Sequence, residues 1–237
     1  MLRAFAVAAL AALAVGLLTA ALALPCLLAG IFDRSGRAAN AVIRCWARLL
    51  LRVGGIRVRT LGSPRIPSGP AVFAANHASA LDIPVLFSGL PRDFRIVFKR
   101  SLGLVPFLGW GLWSGRHVAI DRANPFKARR SLAAAADRIR RGTSVVVFPE
   151  GTRATGGALL PFKRGSFVLA IQAGVPLVPV SLVGVKQRIP RGLGSLTRGE
   201  VTIRIHDPIE TLGRDPETAA QLAESVREIV IRGLNEA

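Results

Sequence analysis

VAIDRANPFKARRSLAAAADRIRRGTSVVVF, residues 118–148, reads as a strand, a helix and a second strand in succession. The apolar runs Val118–Ile120 and Ser144–Phe148 are short and rich in β-branched residues, as buried strands are. Between them Asn124 stands where an N-cap should be, Pro125 takes the first helical position, and Gly142 closes the end. Leu132, Ala136 and Ile139 fall on one face, so the spacing predicts a helix from Pro125 to about Arg141. A strand, a helix and a strand of these lengths predict a right-handed parallel crossover. Working outward, further strands are expected at Ile56–Thr60, Ala71–Ala75, Phe94–Phe98, Leu177–Val183 and Val201–Ile205. A last helix should begin at Asp215-Pro216 and bury Leu222, Val226, Ile229 and Leu234. The alternation predicts an α/β fold with a mixed, largely parallel sheet flanked by helices.

In such sheets ligands gather beyond the carboxyl ends of the strands. Two polar clusters sit there: Asn76-His77-Ala78-Ser79-Ala80-Leu81-Asp82, and Phe148-Pro149-Glu150-Gly151-Thr152-Arg153. A histidine whose ring N–H is held by a carboxylate keeps its other nitrogen free to take a proton from a hydroxyl near neutral pH. His77 and Asp82 have the residue types for that task, and Arg153 offers a fork of donors to a phosphate or carboxylate. On spacing alone Asp82 could equally cap a helix and His77 fill a turn, and Glu150 and Arg153 could be a solvated pair. If the strands are parallel, His77 and Glu150 share one rim. Two further segments carry charge beside apolar runs: Lys99-Arg100 before Leu102–Trp110, and Gly115 to Asp121-Arg122 around a strand. The first suits an amphipathic ligand, or a core element capped by two solvated cations; Arg122 could bind phosphate or lie in a surface turn. His117 and His206 have no acidic partner at a suggestive spacing and read as structural. The basic stretch from Lys186 to Arg198 reads as a solvated loop.

The formal net charge is +18, which selects anionic partners. With 6% aromatics, no Tyr and no nucleic-acid-binding motif, nucleic acid is disfavoured against phospholipid. Cys26 and Cys45 make neither a metal-ligand spacing nor a disulfide framework, and no metal is expected. There is no G-x-S-x-G, P-loop, G-x-G-x-x-G or H-E-x-x-H, so serine hydrolase, nucleotide and metalloprotease chemistry lack motif support.

From Met1 to Phe32 the only charge is Arg3, over a stretch longer than the ~20 residues that cross a bilayer. Ala21-Leu22-Ala23 also resembles a signal cleavage site, although the run is long for a signal peptide. Between Gly36 and Val53, Val42, Ile43, Trp46, Leu49, Leu50 and Val53 recur at helical spacing, with Arg37, Arg44, Arg48 and Arg52 largely opposite. This pattern predicts a helix in the headgroup plane, the alternative being a surface helix packed on the core. Residues 1–54 are therefore expected to form a membrane-embedded and amphipathic helical pair, and residues 55–237 the α/β catalytic domain. Arg34 and the helix arginines place that domain on the cytoplasmic face of the cell (inner) membrane.

The order N-H-x(4)-D, G…I-D-R, F-P-E-G-T-R and then Val175-Pro176-Leu177-Val178-Pro179-Val180 resembles the glycerolipid acyltransferase family, and within it the 1-acylglycerol-3-phosphate acyltransferase branch of phospholipid biosynthesis. The resemblance runs from about Gly55 to Val183. It implies that His77 is the general base and Asp82 its orienting partner. A lysophospholipid hydroxyl would attack an acyl thioester, acyl-CoA or acyl-carrier protein, with no acyl-enzyme, no metal and no cofactor, giving phosphatidic acid. Gly115 and Arg122 would lie in the acceptor site. Glu150, Gly151, Thr152 and Arg153 would hold the glycerol-phosphate head, Lys99 or Arg100 would help bind phosphate, and Pro179 would line the apolar region. Ala119 is smaller than the residue often found in the second motif, which leaves room for another lysolipid acceptor such as lyso-ornithine lipid. A basic, non-catalytic membrane-surface protein is the remaining reading; it explains the charge but not the pairing of the two polar clusters.

Overall fold

The computed structural model describes residues 2–121, 125–153, 158–189 and 195–236. Its elements run α1 (Leu2–Phe32), α2 (Arg37–Val53), β1 (Ile56–Leu61), β2 (Val72–Ala75), α3 (Asp82–Gly89), β3 (Phe94–Lys99), α4 (Leu108–Ser114), β4 (Val118–Ile120) and α5 (Pro125–Arg140). There follow β5 (Ser144–Val147), α6 (Gly165–Ala173), β6 (Leu177–Val183), α7 (Val185–Arg188), β7 (Gly199–Ile205) and α8 (Ala219–Asn235). One seven-stranded sheet takes the order β1-β7-β6-β2-β5-β3-β4, parallel throughout except between β6 and β7. The mixed, largely parallel sheet predicted from the strand pattern is therefore present.

β4 and β5 are parallel, as the crossover requires, with β3 lying between them and pairing with both. One detail differs from the sequence expectation. At Asp215-Pro216 the chain first makes a 3-10 turn, Pro216–Thr218, in which the Asp215 carboxylate accepts the Glu217 N–H; α8 begins only after it. The helix buries Leu222 and Val226 as expected, with Val230 taking the place predicted for Ile229. Asn124, the expected cap of α5, lies outside the described residues. The other end of α5 closes as expected, with Gly142 at φ +100 donating to the Ile139 carbonyl.

The central strands β2, β5 and β6 are buried on both faces, so two cores form. Phe73, Ala75, Val178 and Val180 face one core, covered by α2 and α3; Val72, Ala74 and Leu177 face the other, under α5, α6 and α8. α2 is fastened to the sheet by polar groups as well as by Ala47 and Leu51. Asn40 Nδ2 donates to Asp93 Oδ1 at 2.9 Å and to the Phe94 carbonyl at 2.8 Å, while buried Arg95 reaches the Ser35 carbonyl at 2.7 Å. Arg44, expected on the wet face of α2, instead turns inward. It donates to the carbonyls of Phe87 and Leu90 at 3.0 Å and to that of Arg92, and its guanidinium lies 5.5 Å from the Phe94 ring centre. Phe87 lies in the last turn of α3 and Leu90 at its C-cap, where carbonyls point toward a cation, while Arg92 follows in the turn into β3. α2 is thus partly the core-packed helix offered as the alternative.

Beside this joint His117 is fully buried, and its Nδ1 accepts the Ile96 N–H at 3.1 Å. Burial first, then the charges of Arg95 and Arg138, push its pKa from 6.5 down to about 3. Between those values the unfolded chain binds a proton that the fold refuses, so His117 makes stability fall as pH drops from 6.5 toward 3. His117→Asn keeps an acceptor for Ile96 and removes the proton site. Its melting temperature should fall less than wild type's between about pH 7 and about pH 5; equal falls in the two proteins would exclude this origin of acid sensitivity.

Candidate active site

β2 ends where its last side chains must satisfy a buried backbone edge, and Asn76 does this. Its Oδ1 accepts the Leu182 N–H at 2.7 Å and its Nδ2 donates to the Leu182 carbonyl at 3.3 Å, tying the end of β2 to β6. His77 follows on the α2–α3 side of the sheet. The chain then bends sharply around one carboxylate: Asp82 Oδ2 accepts the N–H groups of Ala78 and Ser79, each at 2.8 Å, and His77 Nδ1, also at 2.8 Å. Asp82 has no exposure and is the first residue of α3. The helix-capping role offered as the alternative is not taken, since Leu81 is the N-cap and receives no side-chain cap; one Asp82 oxygen instead organises the preceding loop and holds the histidine. Since Nδ1 must donate to the carboxylate, Nε2 is the nitrogen left as a base.

The second cluster locks onto the first. The Glu150 Oε1 accepts the His77 backbone N–H at 2.6 Å, and Oε2 accepts the Leu160 N–H at 3.1 Å. Glu150 is buried, and burial raises its pKa, against which the two N–H bonds pull. Both oxygens are engaged by backbone, so Glu150 ties the His77 backbone to the segment at Leu160. Phe148 stacks on the His77 ring, centroids 4.2 Å apart at 28°. At Gly151, φ is +73 and an added Cβ would sit 3.0 Å from the Lys163 Nζ, so this turn favours glycine twice over.

His77 opens onto a cavity of about 580 Å³ between α1, α2, α3 and α4, with 16% of its side chain exposed. Lys99, Thr152 and Arg153 share its wall with His77. Away from them the wall is apolar: Leu22, Val42, Ile43, Trp46, Phe98 and Phe107. Trp46 Nε1 donates to Thr19 Oγ1 at 3.1 Å, joining the two N-terminal helices along this wall. The geometry can therefore seat a molecule with an anionic head near Arg153 and Lys99 and a long apolar tail, with its reacting hydroxyl beside Nε2.

Several residues expected at the site are placed elsewhere. Pro179 is buried in β6 and alternates with Val178 and Val180, so it faces the core opposite to His77. Gly115 sits behind the wall, where an added Cβ would meet His117 Nε2 at 2.7 Å and Asn40 Oδ1 at 2.9 Å; its glycine serves packing. Arg100 is exposed at the start of a 3-10 turn and does not line the cavity, whereas its neighbour Lys99 does. Arg122 lies outside the described residues. His206 receives or donates a bond at Ser181 Oγ, 2.8 Å away, remote from the cavity. Asn76 and Phe148 stand inside the two polar clusters but carry no role in the sequence reading, and Lys163 was not singled out from sequence. Among the described residues no group of three or more His, Cys, Asp or Glu could hold a metal ion.

Residues 57–183, from the first strand to the end of β6 and including His77, Asp82, Lys99, Glu150 and Arg153, match the model of the acyltransferase family. The chain belongs to the acyltransferase family. This acyltransferase is 34% identical over 183 residues to a chloroplastic 1-acyl-sn-glycerol-3-phosphate acyltransferase of Brassica napus, covering 76% of the chain and 53% of the relative. It is 32% identical over 196 residues to the Saccharomyces cerevisiae 1-acyl-sn-glycerol-3-phosphate acyltransferase, covering 81% and 65%. The human alpha form of that enzyme is 35% identical over 175 residues, covering 73% and 62%. The chain spans about half the length of the first curated relatives it matches. The crystal structure of the 1-acyl-sn-glycerophosphate acyltransferase of Thermotoga maritima superposes with a TM-score of 0.75 at 29% identity, over 94% of this chain and 95% of that one.

Proposed function

We propose that this acyltransferase moves a fatty acyl group from an acyl thioester to the free sn-2 hydroxyl of 1-acylglycerol-3-phosphate, giving phosphatidic acid. The observation that carries the mechanism is the 2.8 Å contact between His77 Nδ1 and the buried Asp82 carboxylate, which leaves Nε2 uncommitted in a residue that lines the cavity. The acceptor hydroxyl gives its proton to Nε2 as its oxygen bonds to the thioester carbonyl carbon. The C–S bond then breaks, and the thiolate leaves with the proton returned from Nε2. A thioester is already activated, so the residues here need only supply a base and alignment. The imidazolium formed in passing is stabilised by Asp82.

Arg153 and Lys99 hold the acceptor phosphate, and the apolar wall holds acyl chain. The donor is acyl-CoA or acyl-carrier protein, both of which carry the required thioester. α1 contains one stretch, Ala12–Phe32, long and apolar enough to cross a membrane, with mean hydropathy 2.3. We place this helix in the cell membrane and the sheet on the cytoplasmic side, on the strength of Arg34 and the arginines of α2.

Truncating a charge-assisted phosphate contact removes binding shared by ground and transition states. Arg153→Ala should therefore raise KM for 1-acylglycerol-3-phosphate roughly ten- to hundredfold while kcat stays within about threefold. Steady-state kinetics over a range of acceptor concentrations decide this. An unchanged KM would remove Arg153 from the headgroup site, and equal turnover of a phosphate-free lysolipid would point to a different acceptor.

A further inference from the structure

We propose that a groove at the end of α2 distant from His77 is a second binding site, for the phosphate of an anionic phospholipid. The groove has a volume of about 680 Å³ and lies between the last turn of α2, the start of β1, the end of α3 and the segment entering β7. Arg48 and Arg52 reach it from α2, and Arg198 from the opposite wall. Arg198 is seated there by a specific fit. Its stem crosses Gly55, where an added Cβ would sit 2.6 Å from Cγ and 3.2 Å from Nε, and Gly55 holds φ at +66. The backbone beneath is fastened too, with Gly199 N donating to the Gly55 carbonyl at 3.1 Å and Arg188 Nη1 to the Arg198 carbonyl at 2.7 Å.

With Arg57 of β1, four arginines thus line one concavity, and among the described residues no carboxylate forms an ion pair with any of them. Arg48 and Arg52 are one turn apart, an arrangement that repels in the absence of an anion. A phosphate diester offers the oxygens that such forks bind. The lipid, rather than a free anion, is indicated by what borders the groove. Leu49 and Val53, on the same helix, are 36% and 75% exposed, and α2 packs along apolar α1. Charge and exposed apolar side chains alternating along one helix fit a headgroup with its acyl chains beside it.

The test is thermal unfolding of the full chain in neutral detergent micelles, with dioctanoyl phosphatidylglycerol, dioctanoyl phosphatidylcholine or inorganic phosphate added. A ligand that binds only the folded state raises the melting temperature. Wild type should gain roughly 5 °C with phosphatidylglycerol at saturating concentration and little with phosphatidylcholine. The gain should vanish in Arg48→Gln/Arg198→Gln and persist in Arg153→Ala, which alters only the catalytic cavity. Should the double variant not fold, Arg52→Gln alone, at an exposed position, must show a clearly smaller gain. An undiminished gain in the groove variants, or one lost in Arg153→Ala instead, overturns the site. An equal gain from inorganic phosphate overturns the lipid assignment, as does a gain produced by an acidic acyl-carrier protein and not by phosphatidylglycerol.

Discussion

Membranes carrying His77→Ala protein are expected to transfer acyl groups at least a hundredfold, and up to about ten-thousandfold, more slowly than wild type. The size of the effect follows from the lack of a substitute base. On the cavity wall the other histidine, His117, spends Nδ1 on the Ile96 N–H and is buried. Lys99 and Arg153 are cations, and both oxygens of Glu150 are taken by backbone N–H groups. The loss should be catalytic rather than structural. The His77 side chain makes one hydrogen bond, to Asp82, and one ring contact, to Phe148, while the backbone bonds that shape the loop go to Asp82 and Glu150. Initial rates at equal amounts of folded, membrane-bound protein measure this directly, and a rate near that of wild type would exclude His77 as the base.

Asp82→Asn should bring the second-largest loss, on the order of a hundredfold or more in kcat, with the acceptor KM little changed. The amide oxygen can still accept from Ala78 and Ser79, so the bend before α3 is preserved. The amide nitrogen would occupy the place of Oδ1, which is buried without a hydrogen-bond partner, and this leaves a donor unsatisfied at a cost of about 1–3 kcal/mol. The charge that fixes the imidazole tautomer and stabilises the imidazolium is gone. The protein should therefore fold with a lowered melting temperature and turn over slowly. A melting temperature that falls while kcat holds would make Asp82 a loop residue and nothing more.

The central strands were readable because each is a short apolar run buried on both faces, and β1 and β7 because apolar and polar residues alternate along them. Their order was not, since β3 enters between β4 and β5 through contacts far apart in sequence. The rim shared by His77 and Glu150 followed from the strand ends, but the partner of each Glu150 oxygen did not. A carboxylate beside an arginine looks like a surface pair until the fold brings the His77 and Leu160 N–H groups to it. Arg44 escaped for a related reason: a helical wheel assigns every arginine to water, whereas the carbonyls of Phe87, Leu90 and Arg92, at and just past the end of α3, lie within its reach. Pro179 could not be placed without the register of β2 on β6: Ala74 pairs with Pro179 and Ala75 with Val180, which sets Pro179 on the face away from His77. Asn76 could not be assigned from spacing, because its partner Leu182 lies 106 residues on. Phe148 and Lys163 likewise depend on tertiary approach, Lys163 to the turn at Gly151 and Phe148 to the His77 ring.

The most direct test is transfer of a labelled acyl group from acyl-CoA, and separately from acyl-carrier protein, to 1-acylglycerol-3-phosphate by membranes containing this chain. Labelled phosphatidic acid from at least one donor, absent with His77→Ala membranes, is the predicted result. No labelled product from either donor, or product formed equally by the variant, would contradict it.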